Sequence, residues 1–210
     1  MKTFLFIVGI LICSMEAVAQ KYLLPEFKLC VATAKQGSQP VQAKFNYNCV
    51  AQSMEFLEGD DIIKLSPISH IDTLYLDTHK MIPYGNHFLD VVYTSPKFSL
   101  LVDYKRKIVN EGKAGAMGLK TQGNVENIDF SAFGGRHSDD WKKGVDVWEC
   151  KDQSTYVYVI KSKMKRFNNK KTLIKIFPDK VQKIEEYTQT KGFDFANTEE
   201  VLKLVTLCTE

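Results

Sequence analysis

The stretch VQAKFNYNC, Val41 to Cys49, decides the fold. Val41, Ala43, Phe45, Tyr47 and Cys49 fall on one side, and Gln42, Lys44, Asn46 and Asn48 on the other. Successive side chains of an extended chain point to opposite faces, so a strict period of two marks a strand with one buried face. Downstream, SMEFLE, DIIKL, IDTLYL, HFLDVVY and KFSLLVDYK read as further strands. They are separated by the turn-forming stretches EGDD, SPIS, IPYGN and TSPK. In KFSLLVDYK, Phe98, Leu100, Val102 and Tyr104 share one face.

GVDVWEC and STYVYVIKS flank the short stretch KDQ and read as a hairpin. Tyr156, Tyr158 and Ile160 lie on one face and Val157 and Val159 on the other, so this strand should be covered on both sides. The last third changes period. NKKTLIKIF suits a short helix. In PDKVQKIEEYTQTKG, Pro178 fits a first helical turn, Val181, Ile184 and Tyr187 form a stripe, and Gly192 can end the helix. In NTEEVLKLVTLC, Asn197 with Glu200 three residues later matches a capping box. Val201, Leu204, Val205 and Cys208 form its apolar face.

The fold expected is therefore α+β: a predominantly antiparallel β-sheet, as a sandwich or a curved sheet, with C-terminal helices packed on it. Residues 20–40 read as an N-terminal arm or first strand, 41–160 as mainly β and 161–210 as mainly helical, within a single domain spanning 41–210.

The first 19 residues resemble a secretory signal peptide. Lys2 precedes the apolar run Phe4 to Ile12, and Ala17-Val18-Ala19 supplies a small-residue cleavage site before Gln20. The run is far shorter than the roughly 20 residues needed to cross a bilayer, so no transmembrane anchor is expected after cleavage. Cys13 lacks a small residue before it, which disfavours lipidation there. Export makes disulfides reasonable among Cys30, Cys49, Cys150 and Cys208, in any of three full pairings. The formal net charge of +3 is too small to imply a nucleic-acid or anionic-membrane partner.

No coherent catalytic motif emerges. His137 and Asp139 in SAFGGRHSDDWKKG can act as a pair of ligands, but two groups do not make a zinc site; Gly134-Gly135 with Asp139 or Asp140 suits a turn, with Trp141 folded over it. His70, His79 and His87, at intervals of nine and eight, can cluster only if they end successive strands. The glycines of NEGKAGAMGLKTQGN match no phosphate-binding pattern and read as a loop. Lys161, Lys163, Lys165, Arg166, Lys170 and Lys171 form a basic run that serves either as a solvated surface or as a polyanion patch. Tyr84, Trp141 and Trp148 offer a glycan- or peptide-binding face only if folding exposes them together.

No catalytic, cofactor-binding or metal-ligating residue is assigned from these patterns, and no cofactor is expected. Taken together, AVAQ, FNYNCVAQSMEFLEGDDIIKL, TLYL and IKIFPDKVQKIEEYTQTKGFDFANTEEVLKLV resemble small exported proteins of Bacteroidetes-type bacteria. That resemblance implies a cell-envelope location, periplasmic, surface-associated or secreted, and carries no activity or site residues. The leading expectation is a noncatalytic interaction domain for an envelope protein, peptide or glycan. The alternatives are an exported hydrolase, possibly metal-assisted, built from histidines and aspartates brought together by folding, and a structural envelope component.

Overall fold

The computed structural model describes residues 21–35, 39–113, 146–189 and 192–210. Twelve strands lie among them: β1 (Lys28–Ala34), β2 (Val41–Asn48), β3 (Ser53–Glu58), β4 (Asp61–Lys64), β5 (Ile71–Leu76), β6 (His79–Tyr84), β7 (His87–Thr94), β8 (Ser99–Asp103), β9 (Arg106–Lys113), β10 (Asp146–Asp152), β11 (Thr155–Ile160) and β12 (Lys163–Phe167). Three helices follow: α1 (Lys170–Ile176), α2 (Val181–Thr188) and α3 (Thr198–Thr209). The fold is α+β, an antiparallel sheet with C-terminal helices packed on it.

Ten strands form one sheet in the order β12-β11-β8-β7-β6-β5-β1-β2-β3-β4, and β9 pairs with β10 in a second. Most neighbours are joined by tight hairpins. Tyr84 pairs with His87 across the two-residue loop Gly85-Asn86, and Gly85 opens it at φ +61, a conformation that costs glycine little. The sheet coils back on itself, the Tyr47 hydroxyl of β2 donating to Phe88 O of β7 at 3.5 Å, and the second sheet is tied to it where Arg106 N–H donates to Cys49 O at 2.9 Å. Phe45, Tyr47, Met54, Leu74, Met81 and Phe88 are thereby enclosed in one core.

A second core lies where the helices cover β8, β11 and β12, with Tyr156, Tyr158 and Phe167 meeting Leu173, Ile184 and Leu204. The stripe on α3 is buried as its spacing predicts: Val201, Leu204, Val205 and Cys208 all face inward. On the opposite side of the sheet Leu89, Leu101 and Val157 form a third cluster, so β11 is indeed covered on both faces.

Several expectations change. GVDVWEC and STYVYVIKS do not form a hairpin with each other. β10 pairs with β9, while β11 is taken up between β8 and β12, with Tyr156 opposite Val102 on one side and Phe167 on the other. Lys151 and Asp152 of KDQ belong to β10, and Gln153 and Ser154 carry the chain from one sheet to the other.

The disulfides are also overturned, since none joins Cys30, Cys49, Cys150 and Cys208 among the described residues. The topology gives the reason for two of them. Cys30 pairs with Ala43, and Cys49 lies six residues further along, about 20 Å at a strand's rise. Cys208 is buried in the helical core, away from both.

Helix α2 ends at Thr188, well before Gly192. At α3, Asn197 Oδ1 accepts from the backbone of Glu199 at 3.1 Å and Glu200 at 3.3 Å, the expected cap. The Glu200 carboxylate turns outward to Lys203 Nζ at 2.7 Å and the Tyr187 hydroxyl at 3.1 Å. The reciprocal box forms instead at α1, between Asn169 and Thr172.

Candidate functional site

Two buried aspartates organise the polar chemistry of the sheet. Asp90 sits on β7 between Leu89 and Val91 and is only 4% exposed. Its Oδ2 meets His79 Nδ1 at 2.6 Å and accepts from the Tyr104 hydroxyl at 3.1 Å. A carboxylate accepts, so His79 Nδ1 is the donor in this bond. Burial first, and then the neighbouring Asp90 charge, push the Tyr104 hydroxyl well above the usual phenol range. Tyr104 packs against both major cores, and the Asp90 group therefore ties them together.

Asp103, at the end of β8, collects a different set. Gln52 Nε2 donates to its Oδ1 at 2.9 Å, and Arg166 Nη1 pairs with its Oδ2. His87 Nε2 lies 3.4 Å from the same Oδ2. That nitrogen is buried and off the axis of a hydrogen bond, so the contact is one of proximity rather than a directed bond. The Arg166 guanidinium lies 5.8 Å from the Tyr84 ring centre, and Tyr84 in turn meets the His87 ring edge to face.

The histidines singled out in the sequence are thus kept apart. His79 opens β6 and His87 opens β7, at opposite ends of their hairpin, and alternation turns them to opposite faces. His70 is exposed at the end of a 3-10 turn, Ile68–His70. Among the described residues no group of three or more His, Cys, Asp or Glu side chains is placed to hold a metal ion. None of the described hydroxyls or thiols hydrogen-bonds to either histidine's Nε2. His137, Asp139, Asp140 and Trp141, and the side chain of Trp148, lie outside the described residues, as do the glycines from Gly115 to Gly123. The basic run is divided: Arg166 belongs to the Asp103 group, while Lys163 and Lys165 line the exposed edge strand β12.

The outward face of the sheet differs in kind. Registers place Leu29, Lys44, Leu57 and Ile62 in one continuous row across β1, β2, β3 and β4. Leu29 is 65% exposed and Ile62 51%. Beside that row, Val31 opposes Gln42, and Tyr75 opposes Lys80 on the β5–β6 pair. Val31 and Tyr75 are 41% and 53% exposed. Ile62 to Lys80 crosses six strands, about 24 Å at the usual strand spacing.

Lys44, Lys80 and Lys64 stand among these apolar tips, and Lys64 opposes Glu55. The Glu55 carboxylate is already held by the Tyr22 hydroxyl at 2.8 Å, Asn48 Nδ2 at 2.9 Å and Ser53 Oγ at 3.1 Å. Scattered exposed apolar residues are ordinary, but an in-register row of them is not needed for folding. Comparison with protein-family models, with curated proteins and with solved structures finds no match to this chain. No helix among the described residues is long and apolar enough to cross a membrane.

The two aspartates were missed in the sequence, although a signal was there. In FLDVV and LLVDY an acid interrupts an apolar strand, and a buried carboxylate needs partners. The row on the outward face was hidden for the opposite reason, because its residues are scattered over six strands.

Proposed function

We propose that this chain is a noncatalytic, exported interaction domain that holds a protein or peptide partner against the outward face of its sheet. The row Leu29, Lys44, Leu57 and Ile62, flanked by Val31, Tyr75 and Lys80, carries the reading. Apolar tips interleaved with lysines suit a partner that presents apolar and acidic side chains together. The buried aspartates fit this view, since each is engaged in holding strands and rings together. Export to the cell envelope belongs to the same proposal and rests on the leader sequence.

Site-specific photocrosslinking in the native cells tests it. A benzophenone side chain at Tyr75 should give one adduct of discrete mass, lost when Leu29→Asp is added. The same probe at Lys165, on the edge strand β12, should not give that adduct. Equal adducts from both positions, or none from Tyr75, would count against the proposal.

A second reading, an exported hydrolase, is favoured by one observation: Asp90 accepts from His79 Nδ1 as it would in a nucleophile-activating pair. Turnover of activated esters that disappears in His79→Ala, with the fold intact, would favour it over the first.

A further inference from the structure

A cleft of about 220 Å³ opens between the β8–β11 pair and the approach to α3, on the helix-covered side of the sheet. Three aromatic residues, Tyr104, Tyr156 and Phe195, line it. Two of their hydroxyls are committed: Tyr104 donates to Asp90 Oδ2 at 3.1 Å, and Tyr156 to Phe195 O at 2.8 Å. These bonds hold the two tyrosines in place; Tyr156 is 7% exposed and stacked on Phe167, so the ring surface open to a ligand comes from the half-buried Tyr104 and Phe195 and needs little ordering on binding.

Its polar lining is of another kind. Gln153 and Asn168 are exposed amides with donors and acceptors, whereas the Ser154 hydroxyl is engaged with the Lys105 backbone and that of Thr198 meets the Tyr156 hydroxyl at 3.4 Å. Asn168 Oδ1 accepts from Asn169 Nδ2 at 2.8 Å, which turns its amide nitrogen to other partners. Asp152 is the acidic side chain of the lining, and no lysine or arginine lines the cleft among the described residues. An anionic ligand would therefore meet a like charge at Asp152, whose cross-strand neighbour Arg106 lies outside the lining. A purely apolar ligand would leave amides without partners, which costs free energy.

We propose that this cleft binds a single neutral, hydroxyl-rich ring of the pyranose class. Such a ring has apolar C–H faces to lie against the aromatic walls, and its rim hydroxyls donate and accept as the amides do. The volume is below the roughly 300–1,000 Å³ of sites for drug-sized ligands, so it admits one ring and leaves any attached chain in solvent. The site is separate from the outward face, and each can fail without the other.

Saturation-transfer NMR on the purified protein tests the assignment, with glucose, galactose, mannose and N-acetylglucosamine as probes, and glucuronate, inorganic phosphate and cyclohexanol as controls. At least one neutral sugar should bind in the millimolar range, and glucuronate about fivefold or more weakly than glucose. Ala196→Trp, at an exposed position lining the cleft, should abolish the signal. Gln153→Ala, also exposed, should weaken binding about threefold without moving the thermal midpoint. Leu29→Asp should leave sugar binding unchanged. Absence of binding by all four sugars, tighter binding of an anionic control, or full binding by a folded Ala196→Trp protein would overturn the proposal.

Discussion

Replacing Asp90 should show how much of this fold hangs on one carboxylate. Asp90 is 4% exposed, and its Oδ2 serves both His79 Nδ1 at 2.6 Å and the Tyr104 hydroxyl at 3.1 Å. Asp90→Ala removes both bonds and strands two donors in a region that packs against both cores. Breaking a buried pair from one side costs about 3–5 kcal/mol. Tyr104→Phe removes one bond to a charged acceptor, about 1.5–3 kcal/mol. Asp90→Asn can keep both bonds through its amide oxygen but loses charge assistance, about 1 kcal/mol for each bond.

Asp90→Ala should therefore be the most damaging, with Tyr104→Phe and Asp90→Asn both at about 2 kcal/mol. At about 2–4 °C per kcal/mol for a chain of this size, Asp90→Ala should lower the thermal midpoint by roughly 10 °C. Urea unfolding at pH 7, followed by far-ultraviolet circular dichroism, measures each variant, and an unchanged slope would confirm the same folded and unfolded states. An Asp90→Ala protein within about 1 kcal/mol of the parent would refute the reasoning. It would mean that the cost of burying the carboxylate cancels what its bonds contribute.

Three further outcomes follow from the same geometry. Lys161 and Ser162 form the two-residue β11–β12 loop with φ of 47° and 64°, so Lys161→Asn with Ser162→Gly should stabilise the protein by about 1 kcal/mol in the same urea assay. Burial pushes the Cys49 thiol from its ordinary 9.0 to about 12, so folding favours the protonated form. That contribution is complete below about pH 9 and is lost as the pH rises towards 12, because the unfolded chain ionises first; pH-dependent urea midpoints should fall across that window and fall less in Cys49→Ala. Finally, the chain beginning at Gln20 should take up four alkyl groups in denaturant without reductant, read by mass, and uptake of two or none would contradict the thiol state.

The sheet was legible wherever one face of a strand is buried and the other wet. In β2, Phe45 and Tyr47 are fully buried while Gln42 and Lys44 are exposed as alternation announced, but Val41 is exposed and Asn46 and Asn48 are buried, Asn46 bonding to Leu24 O and Asn48 to Glu55. β1 resisted that reading because Leu29 and Val31 are apolar on its outward face while Cys30 and Ala32 fill the inward one. β6 and β12 escaped through their turns. Asp77 at φ 55° and the Lys161-Ser162 pair take up backbone conformations usually given to glycine or asparagine, so no turn residue marked the joints. β12 also reads as mostly charged, with Lys163, Lys165 and Arg166 around Met164, as an exposed edge strand should.

The misassigned β10–β11 hairpin shows the limit of local rules, because β11 is claimed by a strand some fifty residues earlier, through pairs such as Tyr156 with Val102 and Tyr158 with Leu100. Non-local pairing also decided the candidate sites. His79 and His87 could cluster only as the ends of successive strands, and although they open β6 and β7, alternation and hairpin geometry send them to opposite faces, each to an aspartate that spacing could not identify as its partner. The same alternation that buries Cys30 and Ala32 must present Leu29 and Val31 to solvent. A strand needed only for the core would carry polar residues there, as β2 does with Gln42 and Lys44. The apolar choice at Leu29 and Val31, repeated in register at Leu57, Ile62 and Tyr75, is the feature of this sheet that folding leaves unexplained and a bound partner would account for.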